Sequence, residues 1–159
     1  MRFNLVDRIL EVQPGKAILA TKNLTLGEEY LADHFPTFPV MPGVLMLHTL
    51  VEAAAWLWRV TNDFRHSVIV LREAKNVKYG SFMEPGRQML ITVEQTGLAD
   101  GVATFKGKGE VEGASTVSAR ITLAGYCLRE RDAAWQAQDE RLVKSLRARY
   151  CVLRGQLHR

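Results

Sequence analysis

The stretch HFPTFPVMPGVLMLH, residues 34–48, places prolines at 36, 39 and 42 and runs from the last of them into a glycine and a long apolar segment. Each proline fixes φ near about −65° and removes a backbone donor, so the approach to the segment is rigid and extended. Pro42-Gly43 suits the first turn of a helix, where a missing N–H leaves nothing unpaired. From Pro42 to about Val60 the residues are apolar nearly all round a helical wheel, which predicts a buried helix rather than a surface one. His48, Thr49 and Glu52 interrupt the run, so it does not read as a membrane span.

A buried helix needs other elements to cover it, and the rest of the chain supplies strands. Residues 5–12 and 17–25 flank Pro14-Gly15 and read as a strand pair, and 27–33 reads as loop. Residues 67–79, 88–96, 102–111 and 115–125 read as four more strands, separated by Glu84-Pro85-Gly86, Asp100-Gly101 and Glu112-Gly113. In the last of these Val117, Ala119, Ile121 and Leu123 share one face. Residues 130–150 form a second helical pattern, part apolar and part basic. One long buried helix followed by an antiparallel meander is an α+β arrangement, a sheet wrapped around a helix. At 159 residues the chain is one domain by length, 1–126, with a C-terminal helical extension over 127–159.

The net charge of +4 sits in that extension. Eight of the 21 Lys and Arg but only four of the 17 Asp and Glu lie from residue 127 onward, leaving thirteen of each sign before it. The surplus is expected on a solvated helix face able to meet an acidic partner. No aromatic-studded basic sheet or nucleic-acid motif accompanies it, so nucleic acid is not expected. Cys127 and Cys151 have neither metal-ligand spacing nor a disulfide framework, which suits a reducing cytoplasm. Met1-Arg2-Phe3-Asn4 leads into mixed polar sequence without a signal-peptide pattern.

The order of elements, together with VDRILEVQPGK, KNLT, HFPTFPVMPGVLML, VKYGSFMEPG and GKGEVEG, resembles the hot-dog-fold 3-hydroxyacyl-[acyl-carrier-protein] dehydratases over residues 5–125. The resemblance implies a dehydratase of a 3-hydroxyacyl thioester borne on acyl carrier protein, in fatty acid, lipid or polyene-type biosynthesis. It implies a cytoplasmic homodimer or multiple of dimers, with the acyl tunnel along the subunit interface. No nucleotide, flavin or metal is implied. The chemistry needs a base for the α-proton, an acid for the departing hydroxyl and a donor for the thioester oxygen as it gains charge. In the family the base is the histidine of HFP, here His34, and histidine ordinarily titrates near neutral pH. The oxyanion donor is the N–H of the glycine after MP, here Gly43, which also lies where the first N–H groups of a helix lack internal partners. Val40 lines the substrate site, and Tyr79 falls in the segment that helps gate the tunnel.

Two positions depart from the family. The acid, a Glu or Asp fourteen residues after the histidine, is replaced by His48, and Glu52 stands one helical turn on. Residues i and i+4 share a helix face, so Glu52 can reach His48. Its carboxylate favours an imidazolium able to donate a proton, the nearby helix N-terminus disfavours one, and if the second effect wins the site has lost its acid. Thr37 stands where the family has glycine; threonine tolerates positive φ poorly, so the loop after His34 is expected to take a different path. Two rivals remain open. A hot-dog thioesterase would need a group to activate water, with Glu52 as the helix candidate. A non-catalytic acyl-binding or assembly partner would keep the tunnel without the acid. Trp56 and Trp58 read as core or interface packing, with room to shorten an acyl pocket.

Overall fold

The computed structural model describes residues 4–156. Six antiparallel strands, β1 (Arg8–Gln13), β2 (Ala17–Asn23), β3 (Val68–Tyr79), β4 (Gln88–Ala99), β5 (Val102–Val111) and β6 (Ala114–Tyr126), form one sheet in the order β1-β2-β4-β5-β6-β3. The helix α1 (Gly43–Thr61) lies on its inner face and packs against β2 through β6. This is the hot-dog arrangement that the resemblance implies.

Local chemistry explains the turns. Asp100-Gly101 and Glu112-Gly113 both carry positive φ at two successive residues, 48° and 71°, and 51° and 82°. That is the two-residue hairpin whose twist matches the flanking strands. Along β5 the side chains alternate, with Ala103, Phe105, Gly107, Gly109 and Val111 inward and Lys106 and Lys108 outward. Gly107 lies beneath α1: a Cβ there would sit 3.2 Å from Leu50 Cδ1, so its absence lets the helix approach the sheet.

The helix is buried as its composition predicts, with Leu50, Ala53, Ala54, Leu57 and Trp58 fully enclosed. Trp56 and Trp58 are both core residues. The helix begins one residue later than expected, because Pro42 keeps an extended ψ of 136° and serves as N-cap.

The extension folds back onto this body. It runs through short turns to α2 (Gln136–Leu153), starting later than residue 130 because Asp132 caps a separate turn by accepting from Ala134 N–H. Tyr150 of α2 packs on Trp56 and Phe64, and Leu153 is buried. Asp139, 1% exposed, accepts from Ser67 Oγ and from Leu128 N–H at 2.7 Å, tying α2 to the start of β3.

Arg129, Arg131, Arg141, Lys144 and Arg147 of the extension are exposed, as a basic face requires, but several of its cations also bind the body. Arg147 binds Asp63 through its side chain (2.9 Å) and carbonyl (2.6 Å), and covers the Phe64 ring. Arg149 reaches Asn4 and Glu52, Arg154 donates to the Leu10 carbonyl, and Arg131 stacks over Tyr126. Guanidinium groups with several donors satisfy backbone and carboxylate acceptors more readily than they remain free. Arg141 and Lys144 are the tail cations with no partner among the described residues, and Arg159 lies outside them.

Candidate active site

The proline-rich loop fixes His34 through its own backbone. Val40 N–H donates to the His34 carbonyl at 3.0 Å, and His34 Nδ1 lies 2.9 Å from the Val40 carbonyl oxygen. A carbonyl can only accept, so Nδ1 carries the proton, and Nε2 of the neutral ring presents its lone pair. The next residue continues the anchorage, with Met41 N–H bonded to the Met83 carbonyl at 2.9 Å. The Val40 side chain is fully buried, and it is its carbonyl that meets the His34 ring. Thr37 is absent from the residues with positive φ, so no strained conformation is forced on it by the loss of glycine.

Gly43 opens α1. Leu45 and Met46 donate to the Pro42 carbonyl, while the N–H groups of Gly43 and Val44 have no partner among the described residues. Two free donors at the positive end of a 19-residue helix make a site for developing negative charge. The Tyr79 ring lies over this point: a Cβ on Gly43 would come within 3.0 Å of Tyr79 Cε1. Any side chain at 43 would displace the tyrosine and cover the donors.

The surroundings of His34 and Gly43 are strongly apolar. Phe35 stacks on the His34 ring at 4.2 Å, and Phe38 meets Phe82 edge-on at 5.7 Å. With Val44 and Tyr79, these aromatics form an apolar rim, each member at least 46% exposed. The signal was present in the phenylalanines interleaved with the prolines, but only the fold brings Phe82 to them.

The expected pair of His48 and Glu52 is not made. Glu52 Oε2 accepts from Leu5 N–H at 2.7 Å and Val6 N–H at 3.2 Å, while Oε1 faces Trp56 Nε1 at 3.5 Å and Arg149 at 3.7 Å. Leu5 and Val6 are 1% and 2% exposed, and their N–H groups need an acceptor that water cannot supply. The carboxylate therefore turns to the N-terminal segment and away from His48. His48 is exposed on α1 and has no hydrogen bond or ion pair among the described residues, with His34 or any other group. Glu52 is also the only acid on α1, so its commitment removes the helix candidate for a water-activating thioesterase carboxylate.

No group of three or more His, Cys, Asp or Glu side chains converges to hold a metal among the described residues, and no described helix is long and apolar enough to cross a membrane.

Residues 1–120 match the FabA-like domain family. The chain is 39% identical over 125 residues to the 3-hydroxyacyl-[acyl-carrier-protein] dehydratase FabZ of Albidiferax ferrireducens, covering 77% of this chain and 83% of that one. It is 36% identical over 121 residues to the FabZ of Geobacter metallireducens, covering 75% and 81%. In three dimensions it resembles the dehydratase heterocomplex ApeI:P from Xenorhabdus doucetiae, with a TM-score of 0.66 over 84% of this chain and 90% of that one. At 13% identity this likeness speaks for the fold alone.

Proposed function

The chain belongs to the FabA-like domain family, and from that premise we propose how its own residues carry out the family's reaction and in what assembly. The reaction is dehydration of a 3-hydroxyacyl thioester on acyl carrier protein to the 2-enoyl thioester, as in the FabZ relatives. The observation that carries the residue assignment is the clamp on His34, whose Nδ1 is committed to Val40 so that Nε2 is left as a base.

In this reading His34 Nε2 takes the α-proton and the electron pair of that C–H bond moves into the thioester. The negative charge gathers on the thioester oxygen at the Gly43 N–H, where a preorganised donor needs no reorganisation. The pair then returns to form the Cα–Cβ double bond as the C–O bond breaks, and a protonated His48 of the partner subunit gives its proton to the departing hydroxyl, which leaves as water. One histidine has gained a proton and the other has lost one, and exchange with solvent restores both. Tyr79 and the apolar rim enclose the acyl chain and exclude water from the donors.

Dimerisation through β3 supports this division. β3 is a twelve-residue edge strand with Val70, Leu71 and Tyr79 exposed along it. A long unpaired edge with apolar side chains is completed by a second copy. Light scattering at micromolar concentration should then give a dimer or a multiple of it. The natural setting in this reading is the cytoplasm, where carrier-borne chains are elongated.

Incubation with carrier-borne 3-hydroxyacyl and saturated acyl thioesters, followed by mass analysis, tests the function. Enoyl product from the first and no change in the second is expected. Release of free acid would indicate a thioesterase, and no turnover an acyl-binding protein.

A further inference from the structure

The outer face of the sheet carries a charge pattern that the fold does not need. Lys106 on β5 stands directly opposite Arg120 on β6, and Arg120 stands opposite Lys75 on β3. Two residues along, Lys108 and Lys78 flank Ser118 from the two sides. Five cations therefore occupy neighbouring positions on three adjacent strands, although they are separated by up to 45 residues in the chain. Directly opposed like charges destabilise a sheet, so such a cluster has no packing rationale.

Acidic neighbours neutralise only part of it. Lys75 pairs with Glu73 at 3.0 Å and Lys108 with Glu110 at 2.6 Å. Glu94 is in register with Lys106 on the β4 side but forms no ion pair with it among the described residues. Lys78, Lys106 and Arg120 have no ion pair among the described residues, and they converge on a groove of about 300 Å³ with Ser118 and Asn76. Lys78 and Tyr79 end β3 on opposite faces of the sheet, the Tyr79 ring against Gly43 on the helix side, so the cluster lies at the same strand end as the substrate entrance but across the sheet from it.

We infer that this outer face of β3, β6 and β5, centred on Lys78, Lys106 and Arg120, is the surface that docks the acidic acyl carrier protein. The inference rests on the dehydratase reading for the identity of the partner. It places the docking charge on the sheet rather than on the C-terminal extension, where Arg147, Arg149 and Arg154 are engaged with the body. An acidic protein arriving here is steered by the unpaired charges of Lys78, Lys106 and Arg120, and its acyl arm turns round the end of β3 past Tyr79 to reach His34.

The test measures two things separately. Binding is followed by fluorescence anisotropy of a labelled acyl carrier protein bearing an unreactive 3-hydroxyacyl amide. Chemistry is followed with a small 3-hydroxyacyl thioester that lacks the carrier. The variants are the triple Lys78→Ala/Lys106→Ala/Arg120→Ala and, as a control, Arg141→Ala/Lys144→Ala on α2. At low salt the triple variant should raise the dissociation constant at least about tenfold and flatten its salt dependence. Its turnover of the small thioester should stay within about twofold of wild type, and the control should bind as wild type does. Equal carrier binding by the triple variant, or a greater loss in the α2 control, would overturn the proposal. So would absence of carrier binding by the wild type. If the triple variant lost its fold, the three single substitutions would decide: each should weaken binding about twofold or more, and wild-type binding by all three would overturn it. Failure of wild type to dehydrate the small thioester would defeat the dehydratase reading while the binding result still judged the surface.

Discussion

Replacing Glu52 by alanine removes the one acceptor that satisfies two enclosed backbone donors. Leu5 N–H and Val6 N–H both bond Oε2, at 2.7 and 3.2 Å, in residues that are almost wholly buried. A buried donor left unpaired costs about 1–3 kcal/mol. The 3.2 Å bond is the weaker, so the pair together is worth about 2–4 kcal/mol. The contact with Arg149 adds little, at 3.7 Å and with a third of the arginine side chain exposed. For a chain of this size that predicts a fall in melting temperature of about 4–16 °C at fixed protein concentration. Glu52→Gln keeps an oxygen for the two N–H groups but turns an amide donor toward Trp56 and Arg149, so its loss should be smaller, about 1–2 kcal/mol. The assay is thermal and urea unfolding of both variants, with dehydration measured well below the melting point. Neither variant should change kcat more than about threefold there, since Glu52 touches neither His34 nor His48. A full-strength melt for Glu52→Ala, or an activity loss of a hundredfold in a folded Glu52→Gln protein, would refute the structural role and return Glu52 to the chemistry.

Three further outcomes are expected. His34→Ala should lower dehydration by the roughly 10²–10⁴ of a positioned acid–base group with the fold intact, and activity within threefold of wild type would remove it from the mechanism. His48→Glu should keep far more activity than His48→Ala, measured as kcat/KM on the same thioester, and equal rates would mean that position 48 carries no proton. His66 titrates below the ordinary histidine range, first because burial disfavours its charge and then because of Arg65, against an opposing pull from Glu130. The folded state thus holds this proton less tightly than the unfolded one. The stability it confers is full above about pH 6.5 and is lost as pH falls from there toward the folded value. Urea midpoints at pH 7.5 and 5.5 should therefore differ less in His66→Gln than in wild type, and an unchanged difference would place the slope elsewhere.

The helix and its approach were legible because local rules govern them. Pro42, Gly43 and the apolar run to Val60 carry their signals within one segment, and so do the hairpins at Asp100-Gly101 and Glu112-Gly113. The position of His34 was legible from its motif, but not the Val40 carbonyl that selects its tautomer, since a backbone bond leaves no trace in residue identity. Glu52 was misread because spacing on a helix shows which groups could meet and not which competitor wins. Its competitors, Leu5 and Val6, lie 47 and 46 residues away. In the extension the charge was legible but not the partners of Arg147, Arg149 and Arg154, which are Asp63, Asn4 and the β1 carbonyls. The cations of the sheet were hidden for the opposite reason: Lys75, Lys106 and Arg120 look unremarkable one at a time and become a row only through the β3–β6 and β6–β5 register.

The division of one site between His34 of one subunit and His48 of the other can be measured by complementation. His34→Ala and His48→Ala proteins, each nearly inactive alone, are mixed under conditions that exchange subunits, and dehydration of a 3-hydroxyacyl thioester is followed. A hybrid dimer holds one site lacking both histidines and one site with both intact. With random exchange half of the dimers are hybrids, so activity should return to about a quarter of the wild-type value. Activity that stays at the level of the separate variants, with exchange verified by mass, would contradict the shared site.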